Sequence, residues 1–249
     1  MAMQMLLLRP TLVATVSWPD HRSLTRPPKS PPRRLLSLRL GNSDRRLCFF
    51  TPTATSSNRT SAVTSEAFTS SLESVEVFDV SGKAVPIIDL WRERKAVVAF
   101  ARHFGCVLCR KRADLLASKK ELMDAAGVAL VLIGPGSVDQ AKTFFEQTKF
   151  KGEIYADPTH SSYDALDFAY GVLTTFTPSA GMRIIQSYME GYRQDWELSS
   201  KRNTMTKGGW QQGGLLVAGP GATNISYFHK DKEAGDDPDM EDVIKACCL

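Results

Sequence analysis

The chain has 249 residues and a formal charge of +4. Charged residues make up 23% and hydrophobic residues 43%, which supports a buried core and excludes wholesale disorder. No apolar run reaches the roughly 18 residues of a membrane span, and five cysteines are too sparse for a disulfide-stapled mini-domain.

The charge is unevenly placed. Residues 1–65 hold nine arginines and one lysine against Asp20 and Asp44. The remainder carries 21 bases against 25 acids, an acidic balance that argues against nucleic acid as a partner. The first 65 residues also hold seven of the 13 prolines and 17 serines and threonines. Pro27-Pro28 and Pro31-Pro32 break any helix begun there. A basic, Ser-rich, acid-poor start has the composition of an organelle transit peptide. Residues 1–65 are therefore expected to be a disordered leader addressed to the chloroplast stroma, with Cys48 removed along with it.

One α/β domain is expected over 70–249. Ser74–Val80 and Val85–Trp91 flank the turn Ser81-Gly82 and predict an N-terminal β-hairpin. Ala96–Ala101 and Val128–Ile133 are unbroken apolar runs, as strands buried on both faces require. Between them, Val107–Ala126 reads as one helix. Its stripe is Leu108, Leu115, Leu116, Leu122, Met123 and Ala126, and Gly127 caps its end. This is a βαβ unit with a right-handed crossover. Further helices are expected at Val138–Thr148, Ser162–Phe168, Met182–Tyr188 and Met240–Cys247. A short strand is expected at Glu153–Ala156 and a second hairpin at Leu215–Ala218 and Asn224–His229. The sum is a central mixed sheet flanked by helices.

The sharpest feature is Phe104-Gly105-Cys106-Val107-Leu108-Cys109-Arg110, which leaves a buried strand and opens a helix. Residues i and i+3 share a helical face, so Cys106 and Cys109 fall within disulfide reach. Unpaired amides at the helix start favour a thiolate, the reactive form of cysteine. Arg102, His103, Arg110, Lys111 and Arg112 add positive charge nearby. Gly105 leaves room beside the sulfur. Cys106 is expected to be the more exposed, attacking thiol, with Cys109 resolving its intermediate. Either a peroxide or a disulfide suits this chemistry. A structural zinc site needs four ligands, and no second C-x-x-C pair is present. No metal, flavin or nucleotide is required.

C-x-x-C near a βαβ pattern marks a thioredoxin-like redox site. The strand–Cys106-x-x-Cys109–helix unit, Val128–Gly136, Tyr155-Ala156-Asp157-Pro158 and Gln212-Gly213-Gly214 before a strand ending Ala218-Gly219-Pro220-Gly221 resemble the peroxiredoxin-like 2 group. That group belongs to the AhpC/TSA antioxidant class of the thioredoxin superfamily. The resemblance, from about Val75 to Cys247, implies a thioredoxin-like fold and an oxidoreductase recycled by thioredoxin or a similar thiol donor. It implies a small peroxide or protein disulfide as substrate, or a prostaglandin-type lipid endoperoxide. A non-enzymatic redox sensor or binding module is the alternative of another class. The sequence departs from the peroxiredoxin pattern P-x-x-x-T-x-x-C: counted back from Cys106, the Pro and Thr positions hold Ala99 and His103. Arg183 is a candidate to add charge to the site, and Trp196 and Trp210 are candidates to border it. Cys247 and Cys248 are candidate resolving thiols or spare ones.

Overall fold

The computed structural model describes residues 70–249. The leader expected over 1–65 lies outside them. Among the described residues a seven-stranded sheet runs in the order β2-β1-β5-β4-β3-β6-β7. Its strands are β1 (Glu76–Asp79), β2 (Ala84–Pro86), β3 (Ala96–Phe100), β4 (Ala129–Pro135), β5 (Glu153–Asp157), β6 (Gly214–Ala218) and β7 (Ile225–Lys230).

The expected N-terminal hairpin is β1 antiparallel to β2, and the chain passes from β2 into a 3-10 turn at Ile87–Leu90. Strand β3 is central, parallel to β4 and antiparallel to β6. All five of its residues are buried, the reason its sequence is apolar without alternation. Val97 and Ala99 face one core, with the Cys106 helix above them. Val98 and Phe100 face the other, with Trp91, Tyr163 and Leu216. The four strands β4-β3-β6-β7, built from one βαβ and one ββ unit, are the core of a thioredoxin-like fold.

The crossover from β3 to β4 is two helices rather than the one expected: α1 (Val107–Ala117) and α2 (Lys120–Ala125). At the break the Lys119 N–H donates to Leu116 O, a tightened i→i−3 bond, and the Ser118 hydroxyl takes Leu115 O. The change of direction splits the expected stripe. Leu108, Leu116 and Met123 are buried, whereas Leu115, Leu122 and Ala126 face solvent. Gly127 ends α2 with φ +68°, a left-handed conformation that favours glycine.

Helix α3 (Val138–Thr148) matches its expected bounds and starts in a capping box between Ser137 and Gln140. Two short helices follow, α4 (Ser161–Ala165) and α5 (Val172–Thr175). Helix α6 (Pro178–Met189) begins a turn earlier than expected, because Thr177 caps it and Pro178 fits its first position. Two more short helices, α7 (Trp196–Ser199) and α8 (Arg202–Thr206), lead to a 3-10 turn at Gly208–Trp210. Helix α9 (Met240–Cys248) closes the chain.

Buried Arg112 locks α1 to the segment after β7. Its guanidinium pairs with Asp231 at 2.9 Å and with Asp237 at 2.5 Å. The packing yields a direct test of the split stripe. Leu116→Ala should cost about 2–5 kcal/mol in urea denaturation, while Leu115→Ala should stay within about 0.5 kcal/mol. Equal losses would contradict the division of the crossover.

Candidate active site

Cys106 is the N-cap of α1, and Cys109 sits in its first turn. Gly105 precedes them for a reason the sequence does not give. A Cβ there would fall 2.4 Å from Ser199 Oγ and 2.7 Å from Asp195 O. The glycine lets α7 approach, and the Asp195 N–H donates to Gly105 O at 3.0 Å. Arg110 ties down the same segment by an ion pair to Asp195 at 3.2 Å and lies over the Phe144 ring.

Both sulfurs are buried, with Cys106 at 2% and Cys109 at 7% exposure, so the expected greater exposure of Cys106 does not hold. Cys106 instead meets open space from inside. It lines a cavity of about 500 Å³ whose walls include Phe176, Ile184, Tyr188, Trp196, Met205 and Trp210. Trp196 and Trp210 therefore border the site, as expected. Arg102, His103, Thr175 and Gln194 supply polar groups to the same walls.

Arg102 leaves the end of β3 and turns inward. Its guanidinium donates to Gln211 O at 3.2 Å, Gly209 O at 2.9 Å and Thr175 Oγ1 at 3.3 Å. Its Nη1 lies 3.7 Å from Cys106 Sγ. The Arg102 backbone N–H donates to Cys109 Sγ at 3.1 Å. The Cys106 thiol is held well below its ordinary range, first by a hydrogen bond from the Cys109 thiol and then by the Arg102 charge, against the opposing effect of burial. Cys109 moves the other way: burial and the neighbouring thiolate push its thiol well above that range. The two shifts run in opposite directions, favouring the thiolate at Cys106 and the thiol at Cys109.

The helix start contributes less than the sequence suggests. The Val107 N–H is taken by Gln194 Oε1 at 2.9 Å, and Cys106 makes no side-chain capping bond. His103 adds no charge either. Burial lowers its pKa to about 4, so it is neutral near pH 7, and its Nδ1 has no protein partner. Lys111 pairs with Glu190 and Arg112 with Asp231 and Asp237. Arg183 is engaged by Glu233 at 2.8 Å and is not brought to the sulfurs. Cys247 and Cys248 lie on α9, their sulfurs 3.1 Å apart, with Cys248 reaching toward Leu122 of α2. Among the described residues no group of three or more His, Cys, Asp or Glu is placed to hold a metal.

Known proteins place this chain. The AhpC/TSA antioxidant enzyme family matches residues 115–233, a stretch that begins just after Cys109. "Thioredoxin-like protein AAED1, chloroplastic" of Arabidopsis thaliana is 70% identical over 178 residues, 72% of each chain. The chain belongs to the AhpC/TSA family of peroxiredoxin-like proteins. Human "Peroxiredoxin-like 2C" is 32% identical over 68% of this chain and 75% of its own. Pig "Prostamide/prostaglandin F synthase" is 30% identical over 68% of this chain and 82% of its own. Among solved structures, reduced Prx3 of Vibrio vulnificus with hydrogen peroxide aligns over 71% of this chain and 95% of that one, at 13% identity and a TM-score of 0.49.

Family membership supports a redox role, and Arg102 is the site residue the C-x-x-C spacing does not reveal. Arg102→Gln should slow iodoacetamide trapping of Cys106 at pH 7, roughly tenfold for each unit by which the thiol pKa rises above 7. The check is peptide mass spectrometry of the quenched reaction. An unchanged rate would remove Arg102 from the account.

Proposed function

We propose that this protein is a thiol-dependent peroxidase that reduces an organic peroxide through Cys106 and Cys109. The observation that carries the reading is the Cys106 sulfur, 3.7 Å from a buried guanidinium, in the wall of a largely apolar cavity.

The steps balance with the groups present. The Cys106 thiolate attacks one oxygen of R–O–O–H, the S–O bond forms and the O–O bond breaks. The departing alkoxide takes a proton from water and leaves as an alcohol. Cys106 is then a sulfenic acid. The Cys109 sulfur attacks it, an S–S bond forms, and the hydroxyl leaves as water with the Cys109 proton. The two thiols have supplied two electrons. A dithiol donor such as thioredoxin returns them by exchange through a mixed disulfide. Arg102 stabilises the thiolate and the negative charge that develops on the departing oxygen. Neutral His103 stands where the peroxiredoxin pattern has threonine. Its imidazole offers a hydrogen bond to the peroxide in place of the hydroxyl, while Gly105 and Arg110 act as positioning residues through the α7 segment.

The apolar walls favour a substrate with a bulky apolar arm over hydrogen peroxide itself. They also suit the second reading, a lipid endoperoxide, which the named activity of the prostamide/prostaglandin F synthases supports. In that case the attack on R–O–O–R′ forms an S–O–R bond on Cys106 and releases R′–OH after protonation by water, and Cys109 then displaces R–OH, carrying the Cys109 proton, as the disulfide forms. The chloroplastic relative and the composition of residues 1–65 support a plastid location.

The test is turnover with dithiothreitol or a thioredoxin system. The parent should consume many equivalents of cumene hydroperoxide, with kcat/KM several-fold above that for hydrogen peroxide. Cys106→Ser should be inactive under either donor. Cys109→Ser should stop after one equivalent and accumulate a trappable sulfenic acid. Consumption of no more than one equivalent by the parent would instead identify a sensor.

A further inference from the structure

The second half of the domain holds an apolar surface that the chemistry at Cys106 does not explain. Fourteen large hydrophobic side chains are exposed among the described residues, and nine of them fall within 170–205. Leu173 is 87% exposed, Met189 83% and Trp196 72%. Such clustering departs from the scatter of single apolar residues on an ordinary surface.

The patch is continuous with the cavity. On α6, Ala180 and Ser187 are buried, Ile184 and Tyr188 line the cavity, and Met182, Ile185 and Met189 point outward. At 3.6 residues per turn this sequence sweeps round the helix from core to cavity to solvent. Phe176, Trp196 and Met205 serve both the cavity wall and the exposed surface.

Charge separates this surface from the rest of the domain. Residues 170–210 carry five bases (Arg183, Arg193, Lys201, Arg202, Lys207) against three acids (Glu190, Asp195, Glu197). The remainder of 66–249 carries 16 bases against 22 acids. Asp195 pairs with Arg110 inside the site, while Arg183 pairs with Glu233, Lys201 with Glu197 and Lys207 with Asp164. A net-basic stretch of an acidic domain thus carries nine of the fourteen large apolar side chains exposed among the described residues.

We infer that this face docks on an anionic lipid bilayer, with Leu173, Met182, Met189 and Trp196 entering the interface and Arg193, Lys201, Arg202 and Lys207 meeting the headgroups. Exposed apolar side chains together with basic ones on one stretch are the pattern of interfacial binding. A second copy of this chain fits worse, because a two-fold contact would set these cations against their own images. The docking stands on surface and charge alone. Only its consequence, that an apolar peroxide enters the cavity from the bilayer, rests on the peroxidase reading.

The experiment uses the full chain, whose leader is the same in every variant. Binding is measured by sedimentation with phosphatidylcholine vesicles, with and without 30% phosphatidylglycerol, and by quenching of tryptophan emission with brominated lipid. The parent should bind the anionic vesicles, with quenching that Trp196→Phe removes. Leu173→Asp with Met189→Asp should reduce the bound fraction at least tenfold and leave turnover of hydrogen peroxide unchanged. Three results would overturn the inference. One is binding that survives the double variant with Trp196 unquenched, which assigns it to another segment. Another is no vesicle binding and a doubled solution mass that the double variant halves, which makes the face a dimer contact. The last is no vesicle binding and slower reduction of the double variant by thioredoxin alone, which makes it a donor site.

Discussion

Everything at the site depends on a positive charge placed inside the protein without a carboxylate beside it. Arg102 is 6% exposed, and its hydrogen-bond partners are two backbone carbonyls, a threonine hydroxyl and a cysteine sulfur. A buried charge without a counter-ion is costly, and proteins respond by pairing or neutralising it. Arginine cannot give up its proton. The group that can complete the pair is the Cys106 thiol, by losing its own. Arg112, in the second turn of α1, shows the other solution, since two aspartates neutralise it. One arginine therefore holds the helix in place and the other is left to act on sulfur.

The surroundings maintain this asymmetry. Cys109 accepts the Arg102 N–H and directs its own thiol at Cys106, so the two thiols shift in opposite directions although three residues apart. Burial keeps His103 neutral near pH 7, so its imidazole adds no second cation beside the sulfur. The cavity brings substrate to a sulfur that has almost no surface exposure. Attack thus depends on what the 170–210 segment admits.

Much of this was legible in the sequence and some was not. The strands β3 and β4 announce themselves because a strand covered on both faces must be apolar at every position. Helix α3 is legible because its cap and its period agree. The C-x-x-C pair is legible because its spacing alone puts both sulfurs on one helical face. The break at Ser118 is not, since both halves of Val107–Ala126 keep helical composition and only the direction changes. Arg102 is named among the nearby bases, but that it, rather than Arg110, Lys111 or Arg112, reaches the Cys106 sulfur is not legible. Its partners lie 73, 107 and 109 residues away, and no local pattern encodes a contact at that separation. The role of Gly105 is hidden in the same way, because the atoms it makes room for belong to α7. Much of the cavity wall comes from α5, α7, α8 and the 3-10 turn at Gly208–Trp210, which are too brief to show a period.

The central claim is that Cys106 is ionised near neutrality while Cys109 is not. Thiolate absorbance at 240 nm, followed from pH 4 to 10 in the reduced protein and in Cys106→Ser, tests it most directly. A lowered pKa means that one thiolate persists as the pH falls well below about 8.5, the ordinary cysteine value. It disappears only at lower pH, and Cys106→Ser abolishes that step. Absorbance that first rises near pH 8.5 or above, with the same curve in Cys106→Ser, would contradict the account.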